Sequence, residues 1–306
     1  MEMAGFKDMQ LSKLMLGTVQ LGLDYGIANR SGKPSYDEAK AIIACAYDGG
    51  VNCLDTAAAY GDSETVLGKA LSELGILHKM IVVTKVPPIP ESTSSKEADS
   101  IVETSVINSL KHLRIEVLPI CLLHAEGNIC FFESLLKLKD KGLIRYAGIS
   151  TMTPCATKHI IGLGVIDALQ IPTNILDRRF TGSGITSSAA DKGLALFVRS
   201  MYLQGLLLMP EETIMSQLRD VIPVIRNLKK LADSFAMDIS ELAARYVWSV
   251  DGLTSALVGV DSTEQMRKNI AYFTKGPLSV DVVLEVKKTV PDLDQRILMP
   301  NMWQTG

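Results

Sequence analysis

Short apolar runs alternate along the whole chain with longer stretches in which apolar residues recur every three or four positions. The runs at 13–18, 51–56, 80–86, 118–124, 146–150, 168–173, 195–200 and 256–260 are mostly unbroken. Unbroken runs of this length mark parallel strands covered on both faces. Helical spacing covers 36–48, 63–74, 94–113, 131–141, 154–163, 211–235 and 263–273, with a shorter helix at 187–192. Gly49-Gly50 and Gly142 stand where a helix ends just before a strand. Residues 86–95 carry three prolines and several serines, and 181–188 are rich in Gly, Ser and Thr, so both read as loops. Eight strand–helix units in this order predict one domain over residues 1–306, a single (β/α)8 TIM barrel.

A doubly wound sheet is the competing arrangement, and its dinucleotide site requires GxGxxG after the first strand. The first strand here leads into Gly17-Thr18-Val19-Gln20-Leu21-Gly22, with the wrong glycine spacing. Gly162-Leu163-Gly164 lies late in a helical stretch and lacks the third glycine.

Composition narrows the function classes. Apolar residues make up 47% of the chain and charged ones 21%, enough for a large core. The net charge of -3, from 31 basic and 34 acidic residues, gives no footprint for nucleic acid. No apolar run reaches the roughly 18 residues of a membrane span. Met1-Glu2-Met3 does not open a secretory leader. The five cysteines, Cys45, Cys53, Cys121, Cys130 and Cys155, form no CxxC pair. Buried thiols in a reducing cytoplasm fit them better than disulfides or zinc. The expectation is a cytoplasmic protein without a zinc site and with no nucleic-acid or membrane partner.

In a barrel the chemistry collects where strands run out into loops. Three successive strand ends supply Asp55, Lys85 and His124, and Tyr60 follows Asp55 in the next loop. Singly, each has an ordinary explanation: a helix cap, a surface lysine, a core histidine, a packed tyrosine. Together they suit one task. A carbonyl oxygen needs a proton as hydride reaches its carbon, and a phenol is a weak acid, with a pKa near 10. A lysine cation favours the phenolate, an aspartate holds that cation, and a histidine orients the oxygen.

At these residues the chain resembles the aldo-keto reductases. Asp55-Thr56-Ala57-Ala58-Ala59-Tyr60-Gly61-Asp62-Ser63-Glu64, followed by Leu67-Gly68, is similar to the family signature DTAxxYGxSExxLG. Lys85 in Val82-Val83-Thr84-Lys85 and His124 in Leu122-Leu123-His124 match the rest of the family's catalytic tetrad. The likeness continues through Gly148-Ile149-Ser150, Gln170, Gly205-Leu206-Leu207 and Gly259 to Asn269, with a short C-terminal tail of the bacterial type. It implies a barrel holding NADPH, with NADH as the alternative. Ser150 and Gln170 then fall where the family holds the nicotinamide carboxamide, with Asn174 close by. Gly205 belongs to the cofactor set, and Gly259, Ser262, Gln265 and Asn269 lie where the adenosine phosphate end binds.

Two departures stand out. Arg199 occupies the position after the seventh strand where members often stack an aromatic ring on the nicotinamide. A guanidinium can also stack there, or bind an anionic substrate; Tyr202 is the other candidate for the stacking role. Asp261 lies near the expected 2'-phosphate pocket, and Gln265 stands where many members use arginine. A carboxylate repels that phosphate and suits a ribose diol, unless Arg267 or Lys268 compensates. Arg178 and Arg179 are expected on the active rim with Arg199, where a phosphorylated sugar or sugar nucleotide is one reading and structural salt bridges the other. Trp303 is expected as a pocket wall.

The resulting expectation is an NAD(P)H-dependent enzyme that reduces an aldehyde or ketone, sugar-derived or not, to an alcohol. One alternative is a regulatory barrel that senses nicotinamide nucleotide with little turnover. Another is a lyase or isomerase with Lys85 as a Schiff-base amine.

Overall fold

The structure, a computed structural model, describes residues 1–303. The end of the tail expected to shape the pocket, residues 304–306, lies outside the described residues. The chain opens with an antiparallel hairpin, β1 (Met3–Phe6) and β2 (Met9–Ser12). Eight parallel strands then close a barrel: β3 (Leu14–Gly17), β4 (Cys53–Asp55), β5 (Ile81–Val86), β6 (Leu118–Leu123), β7 (Ile144–Ser150), β8 (Ala168–Pro172), β9 (Ala195–Arg199) and β10 (Ser255–Gly259). Each strand pairs with the next, and β10 closes the ring on β3. This is the (β/α)8 barrel that the alternation predicts.

Strand alternation divides the apolar residues into two cores. Leu14, Leu16, Leu54, Val82, Leu169 and Val198 face outward into the layer of helices. Met15, Cys53, Val83, Leu122, Phe197 and Leu257 face inward and fill the barrel. The hairpin's Phe6, Met9 and Leu11 join that inner plug, and the Phe6 ring meets Tyr146 edge-on at 5.0 Å. The hairpin therefore shuts the N-terminal end of the barrel and leaves the C-terminal rim as the open one. Its strands are only four residues each, too short for their alternation to register in the sequence.

Several helices differ from the sequence expectation. The stretch 211–235 breaks into short 3-10 turns, Glu211–Thr213 and Ser216–Val221, before the helix Ile222–Ser234. Pro223 sits in the first turn of that helix, where its missing N–H costs nothing. The expected loop 181–188 is part of a 3-10 turn and the helix Ile185–Asp191. Two long helices, Ile239–Trp248 and Val280–Thr289, and two single-turn ones, Val19–Gly22 and Gln295–Leu298, are absent from the sequence expectation; the two long ones matter most. They pack with Ile222–Ser234 into a second apolar cluster outside the barrel. Trp303 belongs to this cluster: it is buried, and its Nε1 donates to the Arg296 carbonyl at 2.9 Å. It lies off the cavity wall, so the pocket-wall expectation is corrected. No helix among the described residues is long and apolar enough to cross a membrane.

Candidate active site

Two residues beyond each inward apolar side chain, the same strand face emerges at the open rim. That step leads from Met15 to Gly17, from Cys53 to Asp55, from Val83 to Lys85, from Leu122 to His124, from Phe197 to Arg199 and from Leu257 to Gly259. On β8 it leads from Ala168 to Gln170, whose register partner on β7 is Ser150. A ring of polar groups and glycines thus lies over the apolar plug. Above it opens a cavity of about 630 Å³ that takes in Asp55, Tyr60, His124, Ser150, Gln170 and Arg199.

Lys85 lies just beneath the cavity wall and is fully buried. Its Nζ donates to both Asp55 carboxylate oxygens and to the Thr56 carbonyl, each at 2.8 Å. The Tyr60 hydroxyl is 3.4 Å from the same nitrogen. Burial alone would push the Lys85 pKa down; Asp55 and Tyr60 more than offset it and hold the ammonium above its ordinary value. Gln170 steadies the pair from the far side, its Nε2 donating to Asp55 Oδ1 at 2.8 Å.

His124 meets the Tyr60 ring edge-on, with centroids 5.6 Å apart. Burial, reinforced by the Lys85 and Arg199 cations, lowers its pKa from 6.5 to about 3. The imidazole is neutral at neutral pH, and its buried Nδ1 has no partner among the described residues.

Tyr60 is aimed by a backbone contact that the sequence does not reveal. A Cβ on Gly22 would stand 1.9 Å from the Tyr60 carbonyl and 2.7 Å from the Ser63 nitrogen. Gly61 takes φ +57° in the same crossing, against the Gly22 carbonyl. Only glycine lets the short helix Val19–Gly22 seat the Tyr60 turn this closely.

From this catalytic end the cavity runs as a trough past Gly17, Gln20 and Gly205 to Gly259, Asp261, Gln265 and Asn269. Two buried acceptors in it lack partners among the described residues, Gln20 Oε1 and Asp261 Oδ1. Unsatisfied acceptors cost free energy unless a ligand donor meets them, and the hydroxyls of a dinucleotide's riboses are such donors. The trough therefore fits the nicotinamide cofactor implied by the motifs. Asn269 forms wall: its Oδ1 accepts from Tyr202 Oη at 2.6 Å and its Nδ2 donates to the Gln265 carbonyl. Burial pushes the Asp261 carboxyl up in pKa. Lys268 reaches the cavity but is paired with Glu264 at 2.9 Å, and Arg267 is exposed off the wall.

Two expected cofactor residues are not brought to the cavity. Ser262 caps the helix Thr263–Thr274, its hydroxyl accepting from the Gln265 amide at 3.2 Å. Asn174 closes a turn: its Oδ1 accepts from Leu176 N and Asp177 N, and its Nδ2 donates to the Ser200 carbonyl. Arg178 and Arg179 also leave the rim. Arg178 donates to the carbonyls of Lys287 and Val290, and Arg179 makes a two-pronged pair with Asp177. Structural bonding accounts for both. Sequence reading missed Gln20 and the wall formed by Tyr25, Met152 and Gln204. Gln20 lay inside the motif examined only for its glycines, and the others sit on irregular backbone without periodic signal. Among the described residues no three His, Cys, Asp or Glu side chains gather as a metal site.

Comparison with known proteins agrees with this geometry. The sequence model of the aldo/keto reductase family matches residues 13–290. An NADH-specific methylglyoxal reductase of Escherichia coli (strain K12) is 26% identical over 315 residues, covering 92% of this chain and 95% of the relative. L-glyceraldehyde 3-phosphate reductase of the same strain is 23% identical over 335 residues, covering 96% and 93%. Among solved structures, an aldo-keto reductase from Bacillus halodurans in its holo form superposes with a TM-score of 0.80 at 22% identity. That match covers 99% of this chain and 100% of the other.

Proposed function

The chain belongs to the aldo/keto reductase family and is an NAD(P)H-dependent oxidoreductase of aldehydes or ketones, and from that premise we propose the roles of its residues. Tyr60 gives the proton to the carbonyl oxygen. Bound nicotinamide cofactor supplies the hydride that the carbonyl carbon accepts. Proton loss leaves a phenolate facing the Lys85 ammonium, which Asp55 and Gln170 hold in place. Neutral His124 positions the oxygen by hydrogen bonding and is no proton store at neutral pH. Water then returns a proton to Tyr60.

The observation that carries this reading is the Lys85 ammonium, bound to both oxygens of Asp55 and facing Tyr60 Oη under the cavity. The same arrangement opposes the Schiff-base alternative. Attack on a carbonyl needs a free amine, and this one is held protonated by contacts to Asp55, Thr56 and Tyr60. Four groups assembled for turnover also disfavour a purely nucleotide-sensing barrel. The test is loss of nicotinamide absorbance with a panel of small carbonyls, sugars included. Bound cofactor with negligible turnover across the panel would favour the sensor.

We read the cofactor as NADH in preference to NADPH. The support is the unpartnered Asp261 Oδ1, an acceptor for a ribose hydroxyl and a repellent for a 2'-phosphate, with Lys268 already paired to Glu264. The E. coli methylglyoxal reductase named above is NADH-specific. Fluorescence titration with both nucleotides decides it; tighter NADPH binding rejects this reading. In this reading residues 1–306 work as one catalytic unit on a small carbonyl compound in the cytoplasm, without nucleic-acid or membrane partners. Its free cysteines suit that compartment.

A further inference from the structure

We propose that the substrate is a carbonyl compound that itself carries an anionic group, a carboxylate or a phosphate monoester, and that Arg199 selects it. The inference rests on the reading of Tyr60 and Lys85 given above, since it places the anion beside their carbonyl.

Arg199 ends β9 on the inward face and lies half-buried in the cavity wall. Among the described residues its guanidinium bonds to neutral atoms alone: the Thr151 carbonyl at 3.3 Å, Met152 Sδ at 2.6 Å and Ser200 Oγ at 3.4 Å. Other sheltered arginines are better satisfied. Arg179 pairs with Asp177 at 2.7 Å and Arg245 with Glu241 at 3.0 Å. Arg178 donates to two backbone carbonyls at 2.7 and 2.9 Å. A guanidinium withdrawn from water without a counter-ion costs free energy unless something else supplies the charge.

The two carboxylates that act on Arg199 from a distance do not bond to it: Asp55 is held by Lys85 and Gln170, and Asp177 by Arg179. His124 is neutral, and Tyr25, which lines the same cavity, is a phenol that accepts from Gln204 Nε2. Among the described residues, the catalytic end therefore carries a cation, Arg199, with no carboxylate hydrogen-bonded to it. That charge depresses the His124 pKa, and Arg199 lines the same cavity as Tyr60, so it lies near the groups that handle the carbonyl oxygen. A ring stacked on Arg199 would use its plane and leave its charge unmet; a carboxylate or phosphate takes both prongs of the fork.

The test uses two matched pairs of substrates with NADH: glyceraldehyde against glyceraldehyde 3-phosphate, and butanal against succinic semialdehyde. In wild type, kcat/KM should favour the charged member by about tenfold or more, the scale of a charge-assisted contact. Arg199→Gln should lower that charged-to-neutral ratio by about tenfold, and Arg199→Lys should keep part of it. A wild-type ratio near one, or a ratio unmoved in Arg199→Gln, overturns the proposal. So does an NADH Kd that rises in step with substrate KM, because the charge would then belong to the cofactor's pyrophosphate. If wild type reduces neither member, the catalytic reading fails. The anion site is still read by thermal shift of the NADH complex with glycerol 3-phosphate against glycerol. A shift specific to the phosphate and lost in Arg199→Gln supports the site; an equal shift in both proteins overturns it.

Discussion

The two ends of the cavity are built of different material. At the catalytic end, Asp55, Lys85 and Gln170 stand on strands, each two residues beyond an inward apolar side chain. Their direction follows from strand alternation and their depth from barrel closure, and His124 one residue past β6 follows the same rule. At the nucleotide end, Gln20, Gly205, Asp261 and Gln265 come from loops, the short helix Val19–Gly22 and the start of the helix Thr263–Thr274. There nothing periodic sets direction, and a cap and a ligand group draw on the same residue types. The lesson is that strand-borne chemistry is overdetermined, while loop-borne chemistry depends on which hydrogen bonds the loop has already spent.

The largest expected effect breaks the catalytic end alone. Tyr60→Phe keeps the ring and removes only the acidic proton, so carbonyl turnover should fall about 10²–10⁴-fold. Nucleotide affinity should stay near wild type; normal turnover in this variant would sink the proton-donor role.

Lys85→Met should cost about 10²-fold in kcat and displace the alkaline limb of the pH–rate curve, because the cation facing the phenol is gone. It also leaves Asp55 buried beside a neutral chain, so the melting temperature should drop. An unchanged pH–rate curve in folded protein would reject the coupling.

Gly22→Ala probes the link between the ends. The added methyl meets the Tyr60 carbonyl, so about 1–3 kcal/mol of stability and most of kcat should be lost together. Gly162→Ala is the contrast. Its Cβ meets nothing within 4 Å on the helix Pro154–Leu163, and about 0.5–1 kcal/mol should be gained. Equal behaviour of the two variants would remove Gly22 from the site's construction.

At the nucleotide end, Asp261→Asn should tighten NADPH about fivefold relative to NADH, the scale of roughly 1 kcal/mol between charges near 4 Å in water. The gain should shrink as salt rises. Equal changes for both nucleotides would leave Asp261 as a helix-entry residue only.

A further prediction concerns stability against pH. His124 has its folded pKa lowered to about 3 from 6.5, so the unfolded chain takes up the proton first as pH falls. The stability in question is fully present above 6.5 and is lost as pH drops toward about 3. Denaturant midpoints measured between those limits should fall less steeply in His124→Asn. Identical slopes would place the titration elsewhere.

Eight strands, their parallel order and the residues Asp55, Tyr60, Lys85 and His124 were determined by the sequence alone. Unbroken apolar runs mark parallel strands buried on both faces, eight strand–helix units without GxGxxG after the first strand favour closure over an open sheet, and strand ends point to the rim. The hairpin that closes the other end, the glycine crossing under Tyr60 and the second core around Trp303 were decided by tertiary structure. So was the fate of Ser262, Asn174, Arg178 and Arg179, four polar residues that sequence placed at the site. A hydroxyl, amide or guanidinium is chemically the same whether it caps a turn or meets a ligand. Which it does depends on the partners that folding brings within hydrogen-bond reach: a neighbouring amide for Ser262 and Asn174, the Asp177 carboxylate for Arg179, and for Arg178 the carbonyls of Lys287 and Val290, far away along the chain.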